Sequence, residues 1–111
     1  MTENPSNARV VLTTAGSVDE ARRIGGTLVE ERLAACATIV PSVESIYRWE
    51  GEVESSSEAL LLLKTTTEQI QLLQARLHEL HSYQTPEFLV LPVESGSGGY
   101  IDWLHACLRK S

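Results

Sequence analysis

Two histidines three positions apart, His78 and His81, have Glu79 between them and Glu87 further along, and they are the first residues in this chain that could hold a metal. Imidazole nitrogens suit copper or zinc, and Cys36 could add a thiolate with the same preference. The spacing is not the His-Glu-x-x-His of a zinc-binding helix, and the sequence contains no Cys-x-x-Cys pair. The competing reading has His78 solvated and His81 hydrogen-bonded near a helix end. Cys36 lies among small apolar residues and reads more readily as a packed thiol than as a ligand; Cys107 falls on an apolar helical face, where packing is its role. Cys36, His81 and Glu87 are the types that a nucleophile, a base and an orienting group require, but nothing in their spacing demands that arrangement. No catalytic residue is assigned, and the chain reads as a non-enzyme. The glycine loop around residues 96–99 precedes a helix but lacks both Gly-x-Gly-x-x-Gly and the phosphate-binding lysine motif.

A chain of 111 residues makes one domain with a single core, and 42% hydrophobic with 22% charged residues is ordinary for a globular protein. The net charge of −6 argues against nucleic acid and anionic membrane surfaces, which reward clustered Lys and Arg, but it does not exclude cations. Two cysteines are too few for a disulfide framework, no run is long enough to span a bilayer, and the polar start lacks the layout of a signal peptide. The expectation is a cytoplasmic protein with reduced thiols.

The elements that position these residues can be read in order. Residues 1–8 are expected to be a disordered lead-in, with a single domain over 9–111. Arg9 to Thr14 is a first strand. Ser17 then caps a helix, with Glu20 completing a capping box and Val18, Ala21, Ile24, Leu28 and Val29 at helical spacing. Gly25 and Gly26 inside that helix point to close packing on a sheet. From Leu33 to Lys64 the chain reads as two long antiparallel strands reversing at Gly51, with Val43, Ser45, Tyr47 and Trp49 on one face. Thr65, Thr66 and Thr67 offer caps for a second helix striped by Ile70, Leu73, Leu77 and Leu80. Pro86 precedes a strand over Phe88 to Leu91, which Pro92 confines to an edge or bulge. A last helix follows, with Tyr100, Trp103, Leu104, Cys107 and Leu108 as its expected inner face. The order β-α-β-β-α-β plus a C-terminal helix is the ferredoxin-like sandwich of the α+β class, here with a long central hairpin. Two helices cover one face of such a sheet. Yet Val10 to Leu12, Ile39-Val40, Leu60 to Leu63 and Phe88 to Leu91 are apolar at both parities, so the second face needs a cover, and a symmetric homo-oligomer is the economical one.

Leu33-Ala34-Ala35-Cys36, Ser45 to Gly51, Glu58, Lys64-Thr65, His81-x-Tyr83-x-x-Pro86-Glu87 and Tyr100-x-x-Trp103 together resemble the CutA family of divalent-cation tolerance proteins, from about Val10 to Leu108. The resemblance implies a cytoplasmic homotrimer joined through its long hairpins. It also implies a link to copper and other divalent cations through weak metal or ligand binding. A copper set proposed for bacterial members carries over to Thr13, Leu80 and His81, of which only His81 has a ligating side chain, so His81 is the metal candidate. Ser82 stands where the family usually has proline, which is expected to loosen that turn.

The motif positions also suggest a pocket. Cys36, Tyr47, Trp49, Glu58, Lys64, Tyr83, Glu87 and Trp103, gathered at a subunit boundary, would form a cleft with aromatic walls and a few charged groups. In the competing reading the aromatics pack the trimer and Lys64 pairs with a carboxylate. The alternative function is that of a PII-like trimeric sensor, with a small molecule between subunits.

Overall fold

The computed structural model describes residues 7–110. Most of the expected lead-in, residues 1–6, lies outside the described residues, and the first strand begins one position earlier than expected. The elements are β1 (Ala8–Ala15), α1 (Val18–Glu30), β2 (Cys36–Trp49), β3 (Glu52–Thr66), α2 (Ile70–Leu80), β4 (Leu89–Pro92) and α3 (Gly98–Ala106). The strands form one antiparallel sheet in the order β2-β3-β1-β4. This is the ferredoxin-like arrangement, and it leaves β4 and its Pro92 at an edge, where a missing N–H is tolerated.

One face of the sheet carries the core. Val11 and Ala15 of β1 and Ala59, Leu61 and Leu63 of β3 meet Ile24 and Leu28 of α1 and Leu73 and Leu77 of α2, all fully buried. Each of the valine, leucine and isoleucine side chains contributes about 1.5–3 kcal/mol by leaving water. Ile70 and Leu80 of the expected α2 stripe are only partly buried at its margin. A Cβ on Gly25 would stand 2.9 Å from the Ala37 Cβ, so this glycine does let α1 lie close on the sheet; at Gly26 a Cβ meets nothing within 4 Å.

The helix ends show how local chemistry sets the frame. Ser17 accepts the Glu20 N–H at 3.1 Å. The Glu20 carboxylate does not return to Ser17 as a capping box would. It accepts from Gly16 N–H at 3.2 Å and reaches across to Ser82. At the other end of α1, Arg32 takes φ 61°, its N–H bonds to Val29 O and that of Leu33 to Leu28 O. This is a Schellman stop with Leu28 and Leu33 as its apolar contact. For α2 the threonine caps fail: Thr65 and Thr66 end β3 and are buried, Thr65 donates its hydroxyl to Leu33 O at 2.7 Å, and a short 3-10 turn over Thr67–Gln69 leads into the helix. Arg76 of α2 forks onto Glu31 at 3.0 and 3.2 Å, tying the two helices together.

The expected inner face of α3 needs correction. Ile101, Leu104 and Leu108 are buried, whereas Tyr100 and Trp103 are 45% and 44% exposed. The helix begins at Gly98, and i, i+3, i+7 spacing from Ile101 sets the buried stripe.

The hairpin reverses over Glu50 and Gly51, at φ 50° and 84°. Two central residues with positive φ match the twist of the flanking strands, and glycine takes the second at no steric cost. The pairing is interrupted between Val40 and Val43, at Pro41-Ser42, where proline has no N–H for the ladder. This irregularity switches parity. Before it Cys36, Thr38 and Val40 face the same side as Lys64, Leu62 and Leu60; after it Val43, Ser45, Tyr47 and Trp49 do, opposite Glu58, Ser56, Glu54 and Glu52. The hairpin runs out beyond the helices, in a molecule measuring 51 × 25 × 22 Å.

The second face of the sheet is apolar and largely uncovered by this chain. Val10, Leu12, Leu60 and Leu62 are half-buried, and Leu89 and Leu91 are 54% and 44% exposed. No helix among the described residues is long and apolar enough to cross a membrane.

Candidate functional site

The uncovered face deepens into a cleft of about 840 Å³ where the hairpin leaves the body. Its floor is Thr14 of β1 and Glu58, Ser56 and Glu54 of β3. One wall is Ser45, Tyr47 and Trp49 of β2, and the other is the loop Tyr83, Gln84, Thr85 and Glu87. No lysine, arginine or histidine lines it among the described residues. The switch of register at Pro41-Ser42 is what turns Tyr47 and Trp49 toward this floor.

Tyr83 fixes the loop to the floor by donating its hydroxyl hydrogen to Glu58 Oε2 at 2.8 Å. Burial first, and then this bond and the neighbouring carboxylates, push the phenol up to about 12, so it remains a donor. Behind Tyr83 lies His81, its side chain fully buried and its ring 4.7 Å from that of Tyr83. The His81 Nδ1 accepts the Tyr83 N–H at 3.0 Å, and Nε2 lies 2.7 Å from Thr14 O. A carbonyl can only accept, so the ring is the Nε2–H tautomer and both nitrogens are committed to backbone. Ser82, between them, donates its N–H to Glu20 Oε2 at 2.8 Å. The family's usual proline would have no N–H to give, so this turn is pinned rather than loosened. Burial opposes ionisation of Glu20, but the hydrogen bonds from Ser82 and Gly16 outweigh it and hold the carboxyl below its ordinary value.

The positions singled out in the sequence divide into separate groups. Tyr47, Trp49, Glu58, Tyr83 and Glu87 meet in the cleft. Cys36 and Lys64 are opposite one another farther along the same face. There Lys64 Nζ stands 3.7 Å from Cys36 Sγ and donates to the Thr38 hydroxyl; among the described residues no carboxylate is its partner. Burial and then the nearby Cys36 thiol raise the Tyr100 phenol, placing α3 against that end. Trp103 leans on Tyr100 at 5.3 Å, away from the cleft. His78 is exposed and bonded to Gln74 O of its own helix, and exposed Glu79 pairs with Arg76 at 3.8 Å. The carried-over copper positions offer no ligand set: Thr13 is fully buried with its hydroxyl unpartnered, Leu80 packs on the core, and His81 is committed as described. Among the described residues no three His, Cys, Asp or Glu side chains come together as a metal site.

Thr14, Ser45, Ile46, Glu54, Ser56, Gln84 and Thr85 were not foreseen in the cleft. Glu54, Ser56 and Glu58 alternate along the return strand, and pairing outward from a Glu50-Gly51 turn places them opposite Tyr47, Ser45 and Val43.

A four-stranded sheet with α1 and α2 on one face, an overlong hairpin and an open second face defines a ferredoxin-like α+β domain. The family of CutA1 divalent ion tolerance proteins matches residues 9–107, and the chain belongs to it. The divalent-cation tolerance protein CutA of Thermus thermophilus is 53% identical over 95 residues, covering 86% of this chain and 92% of that one. The protein of the same name from Pectobacterium atrosepticum is 44% identical over 98% of this chain and 100% of its own. The crystal structure of CutA1 from Oryza sativa superposes with a TM-score of 0.92 at 36% identity, covering 96% of this chain and 98% of that one.

Proposed function

We propose that this chain serves divalent-cation tolerance as a binding protein rather than a catalyst, working in the cytoplasm as a homotrimer with the cleft as its ligand site. The observation that carries the reading is the cleft itself: aromatic walls, a carboxylate floor and no basic side chain, beside an uncovered apolar sheet face. Such a face costs free energy in water, and a second and third copy would cover it. Ile46, Trp49 and Val53 on the hairpin arm, 70%, 58% and 63% exposed, offer further apolar surface to a neighbour. The relatives are named as tolerance proteins, which supports binding over catalysis.

A small-molecule sensor of the PII-like kind is the second reading, and the size of the cleft favours it. About 840 Å³ is far more than a metal ion occupies and falls in the range of organic ligands. Copper or another divalent cation would then bind weakly at the carboxylates.

Light scattering after size exclusion should give a mass of three chains, and titration with Cu²⁺ and Zn²⁺ should raise the melting temperature through native-state binding. A stable monomer that does not aggregate would remove the assembly. A melting temperature unmoved by either metal, or moved equally in Glu58→Gln, would remove metal binding at the cleft.

A further inference from the structure

We propose that the cleft takes a linear oligoamine, a chain of methylenes carrying two or more ammonium groups; this rests on reading the cleft as a ligand site. The lining contains three carboxylates, Glu54, Glu58 and Glu87, and no cationic side chain among the described residues to neutralise them. Glu54 and Glu58 point to one face of β3 four residues apart, and two such positions on a strand stand roughly 13 Å apart. A single small cation cannot touch both. A flexible chain with an ammonium at each end can, and its methylenes would then pass beside Tyr47, whose Cα partner across the hairpin is Glu54. Tyr47, Trp49 and Tyr83 supply apolar area and ring faces, which attract ammonium groups.

An independent observation points to a donor-bearing ligand. Thr14 is only 9% exposed, lines the cleft floor, and its hydroxyl has no hydrogen-bond partner among the described residues. Among the described residues the hydroxyl sealed from solvent without a partner is that of Thr13, not Thr14; Thr14 lies on the cleft face of β1, where its hydroxyl is open to a ligand N–H. The Tyr83 hydrogen already goes to Glu58, so the phenol oxygen adds an acceptor on the same wall. The floor and this wall thus offer acceptors, as a protonated primary amine requires and a quaternary ammonium does not.

Calorimetric titration of the purified protein with spermidine tests this, together with a series of α,ω-diaminoalkanes and a neutral diol of matching length. Affinity should rise along the diamine series until the chain spans Glu54 and Glu58, and the diol should not bind. Glu54→Gln should weaken spermidine about tenfold, as expected for a charge-assisted hydrogen bond, without moving the melting temperature. Glu30→Gln, an exposed change far from the cleft, should leave the affinity intact. Equal binding of the diol, equal loss in Glu30→Gln, or no loss in Glu54→Gln would overturn the oligoamine. If Cu²⁺ or Zn²⁺ binds in a Glu58-dependent way and spermidine does not bind, the oligoamine falls and the cleft reading stands. If neither binds, both fall, and the hairpin of a second copy becomes the natural occupant.

Discussion

Tyr83 and Glu58 are joined by a hydrogen bond of 2.8 Å that crosses from the loop after α2 to β3, which makes the outer wall of the cleft part of the sheet's own framework. Tyr83→Phe keeps the ring and removes the donor. Because Tyr83 is 37% exposed, the cost is expected at the low end for a bond to a charged group, about 1 kcal/mol, read from the urea midpoint. The phenol is raised from 10.0 to about 12, so its contribution is present below pH 10 and is lost as pH rises through about 12. Tyr83→Phe should lack that alkaline component. An unchanged alkaline limb would mean that the bond does not hold the loop.

The two adjacent glycines of α1 should respond in opposite directions. Gly25→Ala drives a methyl group to 2.9 Å from the Ala37 Cβ and 3.1 Å from Leu61 Cδ2, and overpacking of this kind costs about 1–3 kcal/mol. Gly26→Ala meets nothing within 4 Å and gains helix propensity, about 0.5–1 kcal/mol. Thermal melts of the two variants against the wild type decide it. A stabilising Gly25→Ala would contradict the packing described for α1.

Glu20 makes the fold sensitive to acid. Burial raises its pKa, but the hydrogen bonds from Ser82 and Gly16 prevail and the folded value lies below the ordinary 4.5. A depressed carboxyl contributes stability above its unfolded pKa and loses it as pH falls through the folded value. Melting temperature should therefore drop below about pH 4.5, and Glu20→Gln should flatten that limb. Ser82→Pro should destabilise the protein even though it introduces the residue usual in the family, because the N–H held at 2.8 Å by Glu20 would be gone. Stabilisation by proline would show that the turn gains more from a fixed φ than from this bond.

The sheet was legible in the sequence because its strands are rich in apolar and β-branched residues and its reversal carries Gly51, whose positive φ the turn requires. The local switch of pairing at Pro41-Ser42 was not, since a shift of register leaves no periodic signal beyond the proline itself. That one irregularity decides which hairpin residues share the face of Cys36. The motif list found Tyr47, Trp49, Glu58, Tyr83 and Glu87 in the cleft, and it placed Cys36, Lys64 and Trp103 with them because resemblance supplies identities without distances. Thr14 was missed for a similar reason: a threonine in an apolar strand reads as β propensity, and only the fold shows that it lines a cavity. The half-exposed Tyr100 and Trp103 reflect a helix phase that aromatic content alone does not determine.

His81 combines a metal-ligand side chain with a buried structural position, and its geometry distinguishes the two roles. Its Nε2–H is spent on Thr14 O and its Nδ1 on the Tyr83 N–H, so a metal at either nitrogen would first have to break a buried backbone hydrogen bond. His81→Ala removes both bonds together and leaves Thr14 O and Tyr83 N–H short of partners, at an expected cost of about 2–4 kcal/mol. Because Thr14 and Tyr83 both line the cleft, that loss should also loosen the site and weaken any ligand held there. Divalent-cation affinity measured outside the cleft, in the background of Glu58→Gln, should not change when His81 is removed. Melting curves and copper titrations of His81→Ala, Glu58→Gln and the double variant separate these contributions. Copper binding that survives Glu58→Gln but disappears with His81→Ala would mean that the ring turns away from Thr14 to become a ligand after all.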